Sequence, residues 1–237
     1  LGLNKKAKEA LVPAPEVLAG ALGKEEYKEM HKAISRDCIT LVKYKDRDVL
    51  PITPERYKRI MIVHVKGAES GMGMLMKAMG MGGGKNPAEM LKERLCEKGF
   101  DAFIYESPLD AMKKQIAAGE KPNINLYFAG KNAIDDFVSG MDLVITLCDV
   151  SSGRPSFGLS KGGGEIPWYV FELPVVVIGC GQPTMLADVP QARTYINTYD
   201  AKPATFDALV DDLMAGPDAF KGRDPIDSFC GLFDARL

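Results

Sequence analysis

The chain has 237 residues, 46% of them hydrophobic, enough for one large domain with a substantial core. Its 30 basic and 32 acidic residues leave a formal net charge of -2, so no overall field recruits nucleic acid or an anionic membrane. No stretch approaches the roughly 20 consecutive apolar residues that a membrane-spanning helix needs, since even the run Pro174 to Cys180 stops at Gly181-Gln182-Pro183.

Leu1-Gly2-Leu3-Asn4 leads into Lys5, Lys6, Lys8 and Glu9 with no long apolar segment behind the positive charges, unlike a secretory signal. The missing initiator Met points to a fragment or a processed chain. Residues 1–24, with Pro13, Pro15, Gly20 and Gly23, read as a linker with short helical turns, and 25–237 as the folded domain. From Glu25 to Arg36, Tyr27, Met30, Ala33 and Ile34 recur at helical spacing, and the β-rich run Cys38-Ile39-Thr40-Leu41-Val42 follows.

Ile60-Met61-Ile62-Val63-His64-Val65 is a continuous apolar run of the kind a parallel sheet buries on both faces. After the Met- and Gly-rich segment 67–84, Asn86 caps a helix with Pro87 at its first position, running through Met90, Leu91 and Leu95 to a stop at Gly99. A strand at Ala102-Phe103-Ile104-Tyr105 and a helix from Ser107-Pro108 to near Gly119 come next. Further strands are expected around Ile124 to Phe128, at Leu143 to Leu147, at Val175 to Ile178 and at Thr194-Tyr195-Ile196. Helices are expected at about Asn132 to Val138, at Ile166 to Phe171, and from Pro203 through Phe206, Leu209, Val210 and Leu213. Strands alternating with helices imply βα units: a three-layer α/β/α sandwich, flavodoxin-like, with a mainly parallel sheet and helices on both faces.

Motif chemistry is sparse. Gly80-Met81-Gly82-Gly83-Gly84-Lys85-Asn86 lacks the Ser or Thr at 86 and the Gly at 79 of a phosphate loop, and the Gly at 85 of a dinucleotide fingerprint. The five cysteines are scattered and odd in number, with no C-x-x-C pair. They read as buried reduced thiols of a cytoplasmic protein, and with only His31 and His64 beside them no structural metal or cofactor is expected. His64, inside an apolar strand, reads as a satisfied core histidine, and His31 as a surface helix residue. Carboxylates at the carboxyl ends of strands, where open α/β sheets place ligands, are Glu69, Glu106, Asp149 and Glu165. Trp168 reads as an anchor for a short helix rather than a sugar platform.

Several segments together resemble one family. Glu165-Ile166-Pro167-Trp168-Tyr169-Val170, Glu172-Leu173-Pro174-Val175-Val176-Val177, Leu186-Ala187-Asp188-Val189-Pro190 and Thr194-Tyr195-Ile196-Asn197-Thr198-Tyr199 look like the carboxy-terminal domain of family 3 β-N-acetylglucosaminidases. So do Ser35-Arg36-Asp37-Cys38-Ile39-Thr40 and Val49-Leu50-Pro51, while Leu1-Gly2-Leu3 resembles the tail of a preceding barrel helix. The resemblance implies a retaining hydrolase acting on terminal N-acetylglucosamine of peptidoglycan or chitooligosaccharides. Its aspartate nucleophile and its histidine-aspartate acid/base come from an amino-terminal TIM barrel. The barrel signature Lys-His-Phe-Pro-Gly-His-Gly-Asp is not in this sequence, so no catalytic residue is assigned to this chain.

The implied partners are that barrel and, through it, an amino-sugar glycan. Arg154, Ser156, Lys161 and Glu165 are the residues expected to face the barrel or the substrate. The other reading is a free-standing flavodoxin-like binding module without hydrolase activity. An exported parent carrying its own signal is the alternative to the cytoplasm.

Overall fold

The computed structural model describes residues 14–22, 24–46, 48–66, 85–106, 114–121, 139–150 and 173–225. In chain order these form α1 (Pro15–Ala21), α2 (Glu25–Cys38), β1 (Thr40–Tyr44), β2 (Arg59–Lys66), α3 (Pro87–Glu97), β3 (Asp101–Ile104) and β4 (Leu143–Val150). Then come β5 (Val175–Gly181), a 3₁₀ turn at Pro183–Asp188, β6 (Thr194–Asn197), α4 (Pro203–Ala215) and a last 3₁₀ turn at Pro217–Ala219. The six strands make one sheet in the order β1-β6-β5-β4-β2-β3. All neighbours are parallel except the edge pair β1–β6, which is antiparallel and irregular between Leu41 and Lys43.

The fold is the expected three-layer α/β/α sandwich. Period-two alternation assigns the faces. Ile60 and Ile62 of β2, Leu143, Ile145 and Leu147 of β4, Val176 and Ile178 of β5, and Ile196 of β6 join one core with Leu91 and Leu95 of α3 and Phe206, Leu209 and Leu213 of α4. Met61 and Val144 of the opposite face pack with Met141, while Cys148, Val150, Val177 and Tyr195 pack with Met185 and Leu186 of the first 3₁₀ turn. Because both faces are covered, β2, β4 and β5 can be apolar at consecutive positions. Each fully buried Leu, Ile or Phe contributes roughly 1.5–3 kcal/mol.

Local chemistry explains the boundaries. Asn86 holds extended backbone and its side chain accepts from the Ala88 N–H at 3.1 Å, Pro87 occupies the first turn, and Gly99, at φ +91°, turns the chain out of α3 as a side chain would not. Cys38 belongs to α2 rather than to the first strand, which starts two residues later. The strands expected at 124–128, the helices expected at 132–138 and 166–171, and the start of the helix expected at Ser107 lie outside the described residues; residues 114–117 are helical.

In α2 the apolar stripe does not face the core. Tyr27, Met30 and Ile34 are 51%, 58% and 55% exposed, and Ser35 is the residue of that helix that is buried. The helix rests on α4 instead, by polar contacts: Arg36 Nη2 lies 3.6 Å from Asp212 Oδ1, and His31 Nε2 lies 3.3 Å from Lys202 Nζ.

Asp212 is the costly member of this contact. Its carboxylate is almost wholly buried, and neither oxygen has a hydrogen-bond partner among the described residues. Burial pushes its pKa up, with Arg36 opposing. A carboxyl raised in the folded state gives its full contribution below the unfolded value and loses it as pH climbs through the folded one. Asp212→Asn, which stays neutral, should therefore be more stable than wild type by about 1 kcal/mol in urea unfolding near about pH 7, with the difference closing near about pH 3. A loss of stability at neutral pH would mean that the attraction to Arg36 outweighs the burial.

Candidate functional site at the carboxyl ends of β2 and β4

From β2 the chain goes outward to β3 on one side, then returns to place β4, β5 and β6 on the other. The sheet therefore reverses its winding between β2 and β4. Crevices at such reversals, beyond the carboxyl ends of the strands, are where open α/β sheets bind ligands.

Two side chains meet there. His64 follows Ile60 and Ile62 on one face of β2, and Asp149 follows Leu143, Ile145 and Leu147 on the same face of β4, so each continues an apolar row with a polar group at its end. His64 Nε2 lies 3.6 Å from Asp149 Oδ2, beyond hydrogen-bond range. The His64 side chain is 6% exposed and Asp149 34%. Nε2 is buried with no hydrogen-bond partner among the described residues. His64 is thus in the strand where its sequence context places it, but it is not satisfied there.

The next groups along the edge are inert. Cys180 stands beside Asp149 in the β4–β5 register. The Thr198 hydroxyl sits 3.3 Å from its sulfur and donates to Asp200 O at 2.8 Å. Burial pushes the Cys180 thiol up to about 12, with the Thr198 contact pulling slightly the other way, and burial also raises Cys148. At neutral pH neither is a thiolate, so neither is a nucleophile. On the opposite face Gly179 lets Tyr195 and Asn197 close in: the Tyr195 hydroxyl donates to Asn197 Oδ1 at 3.0 Å, and a Cβ on Gly179 would stand 2.8 Å from that same oxygen.

Of the residues singled out from sequence, Asp149 is in the crevice. Glu106 is an exposed ion-pair partner of Lys114 at 2.6 Å, and His31 lies on exposed α2. Arg154, Ser156, Lys161 and Glu165 lie outside the described residues, as do Glu69, Trp168 and the segment 67–84. No group of three or more His, Cys, Asp or Glu side chains able to hold a metal occurs among the described residues. Sequence reasoning had both His64 and Asp149 in hand but not their meeting. The alternation in the two apolar runs, combined with a direct β2–β4 pairing, is the signal that joins them.

No family model matches this sequence. A β-N-acetylglucosaminidase/β-glucosidase from Cellulomonas fimi is 29% identical over 223 residues, which are 92% of this chain and 35% of that protein. Among solved structures, the β-glucoside phosphorylase BglX superposes with a TM-score of 0.66 at 26% identity, over 99% of this chain and 37% of its own. This chain resembles the carboxy-terminal domain of family 3 glycoside hydrolases. A family 3 β-N-acetylglucosaminidase from Paenibacillus sp. str. FPU-7 shares the fold at 14% identity, with a TM-score of 0.52 over 86% of this chain and 33% of that one. The chain spans about a third of the length of the relatives it matches.

Among the described residues the thiols divide by exposure: Cys148 and Cys180 are buried, whereas Cys38 and Cys96 are exposed, contrary to the expectation of buried thiols. Alkylation of the native protein at neutral pH, read peptide by peptide in a mass spectrometer, should modify Cys38 and Cys96 and spare Cys148 and Cys180 until denaturant is added. Rapid native labelling of Cys180 would contradict the burial that holds its proton.

Proposed function

We propose that the chain is the accessory α/β domain of a glycosidase that removes terminal β-linked N-acetylglucosamine, with the catalytic nucleophile and acid/base supplied by a companion amino-terminal barrel. The observation that carries this reading is the asymmetry of coverage: relatives match this chain over 92% and 99% of its length, yet it accounts for 35% and 37% of theirs. The apolar face left open on α1 and α2 is consistent with a companion domain, since Val17, Leu22, Tyr27, Met30 and Ile34 are each more than half exposed. In this reading Arg154, Ser156, Lys161 and Glu165, on the segment that follows β4, help shape the cleft formed with the barrel.

A second reading concerns the acceptor. Two of the solved structures that resemble this chain at 26% identity are described as a β-glucoside phosphorylase, in which phosphate takes the place of water. Both readings put the chemistry in the companion domain.

One assay tests them together. The 237-residue chain should release no phenol from an aryl β-N-acetylglucosaminide, with or without inorganic phosphate, whereas the parent containing the barrel should turn it over. Sugar 1-phosphate appearing only when phosphate is present favours phosphorolysis, and free sugar in its absence favours hydrolysis. Turnover by the isolated chain would overturn the placement of the catalytic residues.

A further inference from the structure

The crevice at the β2–β4 reversal carries an inference that does not depend on the enzyme reading. A buried nitrogen without a partner is destabilising, and His64 Nε2, which has none among the described residues, is aimed at a carboxylate that stops short of it at 3.6 Å. Among the described residues the pair is incomplete.

Chemistry narrows what completes it. An anion is disfavoured by the Asp149 carboxylate. The donor that the amino end of α3 offers at Ala88 is already taken by the Asn86 side chain. A metal would have two protein ligands at most, since no third His, Cys, Asp or Glu joins the pair among the described residues. An ammonium group can only donate, and so suits one imidazole tautomer. A hydroxyl suits both tautomers, because its oxygen accepts from an N–H while its proton goes to the carboxylate, or donates to a bare nitrogen. An oxygen about 2.8 Å from both Nε2 and Oδ2 makes two ordinary hydrogen bonds. Asp149 is the outer, partly exposed member and His64 the inner one, so a ligand meets the carboxylate first.

We infer that the His64–Asp149 pair at the carboxyl ends of β2 and β4 is a binding site for a hydroxyl group of a neutral polyol or sugar. Asp149 is the contact residue, and His64 fixes the hydroxyl from beneath.

The chain holds two histidines, so imidazole NMR of the whole 237-residue protein reads the site with His31 as an internal control. Titration with methyl β-D-glucoside or N-acetylglucosamine should shift the His64 ring signals saturably and leave those of His31 in place. Asp149→Ala should weaken the effect by roughly tenfold or more, the worth of a hydrogen bond to a charged group. The wild-type titration needs no variant to be decisive. His64 signals that do not move at high sugar concentration, that move together with those of His31, or that respond to inorganic phosphate instead of sugar would overturn the inference. None of these outcomes bears on whether the chain hydrolyses glycosides, which the aryl-glycoside assay decides separately.

Discussion

The constraint on which the rest of the structure depends is the parallel pairing of β2 with β4. Seven register pairs, from Ile60 with Leu143 to Lys66 with Asp149, join two strands that lie far apart in sequence, and every other element is arranged around that seam. The strand that follows β2 adds to its free side, whereas the strands that follow β4 build outward from the other. Because layers cover both faces at the seam, its residues can be apolar at consecutive positions, and they are buried from Ile60 to Ile62 and from Leu143 to Cys148. One pairing thus fixes the core, the reversal of winding, and the place where two chain segments leave the sheet side by side.

Function follows from where the apolar rows end. Up to Ile62 and Leu147 one face of the seam is hydrocarbon, and the next residue in each row is His64 or Asp149. Placing a histidine nitrogen there without a partner lowers stability, and a protein that needed only a core could have continued with Ile or Leu. The neighbouring thiols carry no such meaning, since burial keeps both protonated. Among the described residues the crevice therefore offers hydrogen-bonding groups rather than a nucleophile. That agrees with a domain that resembles about a third of larger glycoside-processing proteins.

Much of the architecture was legible in the sequence because its signals are local. Asn86-Pro87 and Gly99 bracket α3, Pro203 opens α4, and the apolar runs at 60–65, 143–147 and 175–178 all became strands of a mainly parallel sheet. Segments spread from Ser35 to Tyr199 pointed to the family 3 domain. What was not legible depends on contacts between distant residues. The antiparallel edge pairing of β1 with β6 has no local signature. The outward stripe of α2 reads from its periodicity like any core-facing helix, and only its docking on α4 through Arg36 and His31 turns that stripe to solvent. His64 and Asp149 were each visible, but a pair formed across a strand register is invisible until the order of the strands is known.

Amide hydrogen exchange of the 237-residue chain, resolved by residue, tests the central role of the seam most directly. Amides in the shared register of β2 and β4 should exchange only through global unfolding and be the slowest in the protein, with those of β5 close behind, while α1 and the β1–β6 edge exchange through local opening. Seam amides that exchange faster than those of the β1–β6 edge would contradict the account, because the sheet would then be organised from its edge and the crevice at β2 and β4 would have no rigid base.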